Sequence, residues 1–337
     1  MRAIGYFEPL PIENEEALVE IERPMPVATG RDLLVEIKAV AVNPVDTKVR
    51  KARVPQDGQP GILGYDASGV VRSVGPEVSG FAVGDEVFYA GDITRPGTNA
   101  EFHLVDERIV GHKPKTLTFA EAAALPLTSI TAWEALFDRL KVKDPSPSGS
   151  RKLLVVGGAG GVGSIAIQLA RQLTDLTVVT TASRPQSQAW VLDLGAHHVV
   201  DHSKPMAPQF DHLGIGAPDF VFSTTHTDQH LLDIVGLIAP QGRFLLIDDP
   251  ARFDIIPFKQ KSVSIHWELM FTRPMFTTPD MDEQGKLLNR VADLVDDGRI
   301  RSTLTGAVAP LSVKNLRDAH RQIESNSTIG KIVLSGF

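Results

Sequence analysis

The sequence predicts an α/β protein in two parts, a partly open barrel of short strands and a doubly wound parallel sheet. Three observations carry this. The first 115 residues hold short β-branched runs broken by closely spaced glycines. From residue 151 onward, apolar strands alternate with helical stretches, and a glycine cluster stands between the first of those strands and its helix. At 337 residues the chain has the length of about two domains.

The elements follow in order. Residues 33–40 form an apolar run, β-branched at its centre, that stops at Asn43-Pro44. Residues 69–75 and 85–89 repeat it at short spacing, with Gly58, Gly61, Gly64, Gly69, Gly75, Gly80 and Gly84 supplying the bends. Helical periodicity runs from Ala120–Ala124 toward Leu136, and a polar, proline-bearing loop occupies 144–150. Residues 152–156 are almost wholly apolar, as a strand covered on both faces requires. A helix at 161–173 and strands at 176–181, 199–201, 220–222 and 244–247 complete the alternation. Two amphipathic helices near 283–297 and 312–324 precede a closing strand at 331–334.

Composition narrows the function. Hydrophobic residues make up 42% and charged residues 22%, values of an ordinary globular chain rather than a disordered one. A net charge of −7 argues against a nucleic-acid surface. No run approaches the ~18 apolar residues that span a bilayer, and residues 1–8 lack the apolar stretch of a signal peptide. The expectation is a cytoplasmic enzyme with no membrane or nucleic-acid partner. The absence of cysteine excludes disulfides, a thiolate nucleophile, cysteine-ligated zinc and iron–sulfur clusters.

Gly158-Ala159-Gly160-Gly161-Val162-Gly163 matches G-x-G-x-x-G in the strand-to-helix context that the motif needs. Its glycines allow a tight turn, close backbone approach to a pyrophosphate and close helix–strand packing, while the helix N-terminus faces the phosphates. An NAD enzyme usually places an acid about 20 residues further on. This chain has Thr181-Ala182-Ser183-Arg184-Pro185-Gln186 there, with no carboxylate. Ser183 and Arg184 suit a 2′-phosphate and point to NADP(H), the other reading of Arg184 being a solvated surface charge.

With these residues in place, the sequence resembles the medium-chain dehydrogenase/reductase superfamily along nearly its whole length. The match runs through Asn43-Pro44-Val45-Asp46, Gly64-Tyr65-Asp66-Ala67-Ser68-Gly69, Val83-Gly84-Asp85-Glu86-Val87 and Ala124-Leu125-Pro126-Leu127-Thr128. It continues through the glycine motif, Leu194-Gly195-Ala196 and Gly330-Lys331-Ile332-Val333-Leu334. Within the superfamily it is most similar to quinone oxidoreductases and to "zinc-type alcohol dehydrogenase-like" proteins. The resemblance implies a GroES-like catalytic domain at 1–126 and 269–337, and a Rossmann NADP-binding domain at 127–268, with the cofactor in the cleft. It also implies that Asn43 and Asp46 lie near the nicotinamide, that Thr128 stands beside it, that Lys331 contributes to cofactor binding and that His202 packs on the adenosine half. The strand at 262–267 resembles one that pairs with its own copy in relatives, which implies a homodimer.

Zinc-dependent relatives carry a cysteine where this chain has Asn43 and a histidine where it has Tyr65. Their four-cysteine lobe is replaced here by the short segment 91–99. Histidines offer no obvious substitute. His197, His198 and His202 cluster, and His226 and His230 are spaced i, i+4 without the Glu of H-E-x-x-H, so both groups read as surface or cofactor-packing residues.

Without a Lewis acid, alcohol oxidation is hard, because the alkoxide that loses hydride has nothing to stabilise it. A quinone or α,β-unsaturated carbonyl needs only positioning and at most one hydrogen-bond donor, since its accepted charge is delocalised. The expectation is therefore an NADPH-dependent, zinc-independent quinone or enone reductase. Tyr65 is the candidate donor or else cleft wall; Asp46 organises the site or else caps a local turn. Trp267, Phe271 and Phe276 form a substrate wall or ordinary core. Two other functions stand beside this one: a metal-dependent alcohol or aldehyde dehydrogenase, and a non-catalytic NADPH-binding sensor or structural protein.

Overall fold

The computed structural model describes every residue except 57 and 147, so Pro147 of the polar loop lies outside the described residues. In chain order come β1 (Arg2–Tyr6), β2 (Val19–Glu22), β3 (Asp32–Val42), α1 (Pro44–Ala52), β4 (Gly61–Ile62), β5 (Ala67–Val74), β6 (Glu86–Tyr89), β7 (Phe102–Asp106), β8 (Val110–His112), α2 (Phe119–Ala123) and α3 (Pro126–Trp133). Then follow β9 (Lys152–Val156), α4 (Gly161–Leu173), β10 (Thr177–Thr181), α5 (Pro185–Asp193), β11 (His198–Val200), α6 (Met206–Leu213), β12 (Phe220–Ser223), α7 (Thr227–Leu237), β13 (Arg243–Leu246) and β14 (Ser264–Trp267). The chain closes with α8 (Thr272–Phe276), α9 (Glu283–Asp296), β15 (Ala309–Pro310), α10 (Val313–Glu324) and β16 (Ile332–Ser335). It divides into two compact units, Met1–Ile130 with Phe271–Phe337, and Thr131–Met270.

The first unit is the GroES-like one. Its main sheet has seven strands in the order β15-β16-β3-β5-β6-β8, with β7 also on β3; a smaller sheet runs β2-β1-β4. The long strand β3 holds this sheet together. It pairs with β5 along one edge, and with β7 and β16 along successive parts of the other. Register shifts at Leu34/Val35 and Ile37/Ala39 bend it between those partners, as bulges do. Its alternating residues Leu33, Val35 and Val40 are fully buried in the core with Val71, Val87 and Tyr89. Helix α1 was not expected from the sequence. Asn43, Pro44 at its first turn and Asp46 at its third position are start signals that explain it.

The second unit is a Rossmann sheet of six parallel strands in the order β11-β10-β9-β12-β13-β14. The chain leaves β9 in one direction for β10 and β11, then returns to β12 on the other side. That puts the topological switch point between β9 and β12, at the carboxyl edge where such sheets bind ligands. Leu154, Val156, Val179, Val221, Phe244 and Leu246 are buried in this unit's core. The last strand begins at Ser264 rather than at 262, because Ser262 takes a left-handed conformation (φ 51°) that ends a 3-10 turn over Ile256–Lys261. Among the described residues, no helix is long and apolar enough to cross a membrane.

Candidate functional site

In the Rossmann unit the glycine loop follows β9 and opens α4. The tight turn falls one residue before the expected motif, at Gly157, whose φ of 83° favours glycine. Gly158 and Gly163 are packing glycines. A Cβ on Gly158 would lie 1.8 Å from Thr180 Oγ1, and one on Gly163 would lie 2.5 Å from Gly157 O. Gly160 is different. The nearest atom to a Cβ there is Gly157 O at 3.6 Å, and Ala159, Gly160, Gly161 and Val162 are all half-buried. The crest of the loop is thus open and followed by the unpaired N–H groups of a helix start, which fits a pyrophosphate.

The loop is tied to its surroundings through Thr181, whose Oγ1 accepts from Gly157 N–H at 3.0 Å and lies 3.1 Å from His202 Nδ1. Ser183 is half-buried and Arg184 exposed at the same edge, where Arg184 leads into α5. His197 stands apart from this group. Its Nδ1 accepts from Val178 N–H at 2.8 Å and its Nε2 lies 2.7 Å from Arg171, so it fastens strand to helix.

In the GroES-like unit the expected residues Asn43, Asp46 and Lys331 come together around Asp66, which sequence reasoning quoted in a motif but did not single out. Asp46 Oδ2 accepts from Asn43 N–H at 2.6 Å and Oδ1 from Gly64 N–H at 3.0 Å. This is the capping arrangement, extended to the turn before Tyr65. The Asn43 amide serves the network rather than the helix: Nδ2 donates to Asp66 Oδ2 at 2.8 Å, while Oδ1 accepts from Lys331 Nζ. Lys331 also donates to Asp66 Oδ2 at 2.8 Å, and Leu127 N–H donates to Asp66 Oδ1 at 2.7 Å. All four side chains are buried. Burial pushes the Asp46 carboxyl up to about 7, against its N–H partners and the Lys331 charge. It also raises Asp66, against the same ammonium.

Tyr65 is 2% exposed, with its ring edge-on to Phe271 at 5.3 Å. Burial, and then the Asp46 charge, push its phenol above the ordinary value. Its backbone is fixed from the segment at 91–99. Thr98 N–H donates to Gly64 O and Asn99 N–H to Leu63 O, both at 2.9 Å. Gly64 (φ 109°) permits this approach, since a Cβ there would meet Thr98 Oγ1 at 2.5 Å. The segment is itself held by the buried His103, whose Nε2 lies 2.9 Å from Pro96 O and whose Nδ1 lies 3.1 Å from Tyr89 Oη. Burial lowers His103 to about 4, so it remains a neutral strut.

These residues do not suit zinc. An amide already clamped between an ammonium and a carboxylate, beside a phenol held protonated, is a poor donor set for a dication, and Lys331 brings positive charge to the same place. Among the described residues, no group of three or more His, Asp or Glu is arranged to hold a metal ion.

Thr128 is buried and donates its hydroxyl to Leu125 O at 3.0 Å, just before its own helix, leaving only its lone pairs for another partner. The three aromatic residues expected as a wall have separate environments. Phe271 is core against Tyr65, Phe276 is 71% exposed, and Trp267 is half exposed with its ring edge-on to Phe253 at 5.9 Å.

Two family patterns match the chain: an alcohol dehydrogenase GroES-like domain at residues 29–132 and a zinc-binding dehydrogenase at residues 194–334. A zinc-type alcohol dehydrogenase-like protein of Staphylococcus aureus is 39% identical over 99% of this chain and 100% of its own. A crystal structure from Rhizobium etli, provisionally described as a zinc-dependent alcohol dehydrogenase, is 64% identical, covers 100% of this chain and 98% of its own, and superposes with a TM-score of 0.98. The 2-methylene-furan-3-one reductase of tomato (Solanum lycopersicum) is 28% identical over 98% of this chain and 76% of its own.

Proposed function

Since the chain belongs to the medium-chain dehydrogenase/reductase superfamily of oxidoreductases, we propose that it reduces a quinone or an α,β-unsaturated carbonyl with NADPH and without zinc, as a cytoplasmic homodimer. The observation that carries this is the Asn43–Asp66–Lys331 network. It engages Asn43, which stands where metal-dependent relatives carry a cysteine ligand, with the buried Lys331 and Asp66, and Tyr65 stands where they carry a histidine. A quinone is a cross-conjugated enone, so one chemistry covers both acceptors. The tomato relative, named for reduction of a conjugated methylene ketone, supports it.

When bound, the dinucleotide supplies a hydride from its nicotinamide. The glycine loop and the start of α4 hold its pyrophosphate, and Ser183 and Arg184 hold the 2′-phosphate. Tyr65 donates a hydrogen bond to the acceptor oxygen, stabilising charge that develops there. Asp46, by accepting from Gly64 N–H, fixes the turn that aims Tyr65. Asp66 does the same for the start of α3 through Leu127, and so for Thr128. The final proton comes from water.

The test is an assay of the purified, metal-analysed protein with NADPH against a quinone, an enone and a panel of alcohols. NADPH oxidation by quinone or enone at substoichiometric zinc is expected, and product analysis with one enone distinguishes C=C from C=O reduction. Stoichiometric zinc with alcohol turnover, or tight NADPH binding with no turnover of any acceptor, overturns the proposal.

A further inference from the structure

Two histidine groups that look unrelated in the sequence meet at the carboxyl edge of the Rossmann sheet. His202 follows β11, while His226 follows β12 and His230 lies on the first turns of α7. The rings of His202 and His230 stand edge to face with centroids 5.5 Å apart. His226 holds a left-handed backbone conformation (φ 51°) at the start of α7, with its Nδ1 2.7 Å from Thr225 Oγ1. Thr181 Oγ1 accepts from Gly157 N–H and lies 3.1 Å from His202 Nδ1, which links His202 to the glycine loop.

The charges around the cluster are mixed. Burial comes first in keeping His202 below its ordinary value; Asp201 opposes this, and the charges of His226 and Arg184 reinforce it. Burial also lowers His230, with His202 and His226 reinforcing and Asp233 and Asp228 opposing. Asp248, from the end of β13, is spent on Thr227 N–H at 2.8 Å and on the Thr227 hydroxyl. The cluster thus holds two half-buried imidazoles in ring contact, His202 and His230, whose protonation burial disfavours, with the Arg184 charge acting against His202 and the His202 charge against His230. A dianion placed among them reverses that balance, because each imidazole can then take a proton against a negative neighbour.

Resting on the reading that the cofactor carries a 2′-phosphate, we propose that His202 and His230 form, with Arg184, a proton-coupled recognition site for adenosine 2′-phosphate. Binding NADP(H) draws a proton onto the cluster; binding NAD(H) does not. His202 and His230 thereby become specificity-determining residues.

The sign distinguishes this from Arg184 acting alone. A phosphate monoester has a second pKa of about 6 and loses charge as pH falls toward it, so recognition by a permanent guanidinium stays flat and then weakens on acidification. A titrating cluster makes recognition tighten instead.

The experiment is calorimetry on the full-length protein with adenosine 2′,5′-bisphosphate and with 5′-AMP, from pH 8 to 6.5, in two buffers of different ionisation heat. Uptake of about half a proton or more is expected with the bisphosphate, with affinity rising about five- to tenfold over that range, as linkage requires, and less than about twofold with 5′-AMP. The double variant His202→Asn, His230→Asn should lose both the uptake and the rise. A bisphosphate preference without proton uptake in the native protein, or an unchanged pH profile in the double variant, overturns the proposal and leaves the NADPH reading standing. If the bisphosphate binds no more tightly than 5′-AMP at any of these pH values, both fall. The native measurement decides the matter even if the variant does not fold.

Discussion

At the scale of single residues, Tyr65 and its neighbours show how a buried phenol becomes a fixed donor. Burial, then the Asp46 carboxylate, push its pKa upward, so the group stays protonated across the working range and cannot act as a base. Phe271 holds the ring, and the backbone bonds from Thr98 and Asn99 hold the turn that carries it. Tyr65→Phe therefore removes one hydrogen bond with little change in shape. Loss of a single donor to a developing oxyanion lowers turnover on the order of 100-fold, so steady-state kinetics should show a fall approaching that size. NADPH affinity, measured by fluorescence titration, should stay within about twofold. Unchanged turnover would return Tyr65 to the role of cleft wall.

At the scale of elements, the pairing of α1 with α10 combines a helix the sequence did not announce with one it did. Apolar periodicity made α10 and α9 legible, since each buries one stripe. The alternation from 151 onward likewise made the Rossmann sheet legible, to within a residue or two at most strand ends. Helix α1 has only mixed, charged periodicity, so its legible signals were the start residues Asn43, Pro44 and Asp46. The site was legible where motifs fixed spacing, as in the glycine loop. It was not legible where partners come from distant segments. Asp66 meets Lys331 across 265 positions, and the antiparallel pairings of β16 and of β5 with β3 set that register. The same packing buries His320 of α10 with neither ring nitrogen partnered, beside the buried Arg50 of α1, whose Nη2 donates to Glu324 Oε1 at 2.5 Å. Burial first, then Arg50 and Lys51, lower His320 to about 3. Below its ordinary value of 6.5 the unfolded chain takes up a proton that the folded one refuses, so stability falls with pH until about 3. His320→Leu should stabilise the protein by about 1–2 kcal/mol at pH 7.5, by removing an unsatisfied buried group. The advantage should grow by about 2 kcal/mol at pH 5, as urea unfolding at the two pH values would show. An equal difference at both pH values would place the pKa elsewhere.

At the scale of the whole molecule, the open question is what covers the last strand of the Rossmann sheet. Strand β14 pairs with β13 on one side, and no described strand pairs with it on the other. Ser264 N–H donates inward to Gly242 O at 3.0 Å, so alternation along a strand turns the Ile265 N–H outward. Trp267 and Leu269 are each more than half exposed near it, as are Ile255 and Ile256 just before it. An apolar edge with free backbone groups is an invitation to pair, and an antiparallel partner related by a two-fold axis satisfies both at once. Sedimentation across a range of concentrations should give the mass of a dimer. Ile265→Pro deletes only an outward donor, so proline there leaves the inner ladder intact. It should yield a monomer with an unchanged circular dichroism spectrum and retained nucleotide binding. If the native protein sediments as a monomer at every concentration, or if the proline variant remains a dimer, then β14 is not the interface, and its exposed tryptophan and leucine require another explanation.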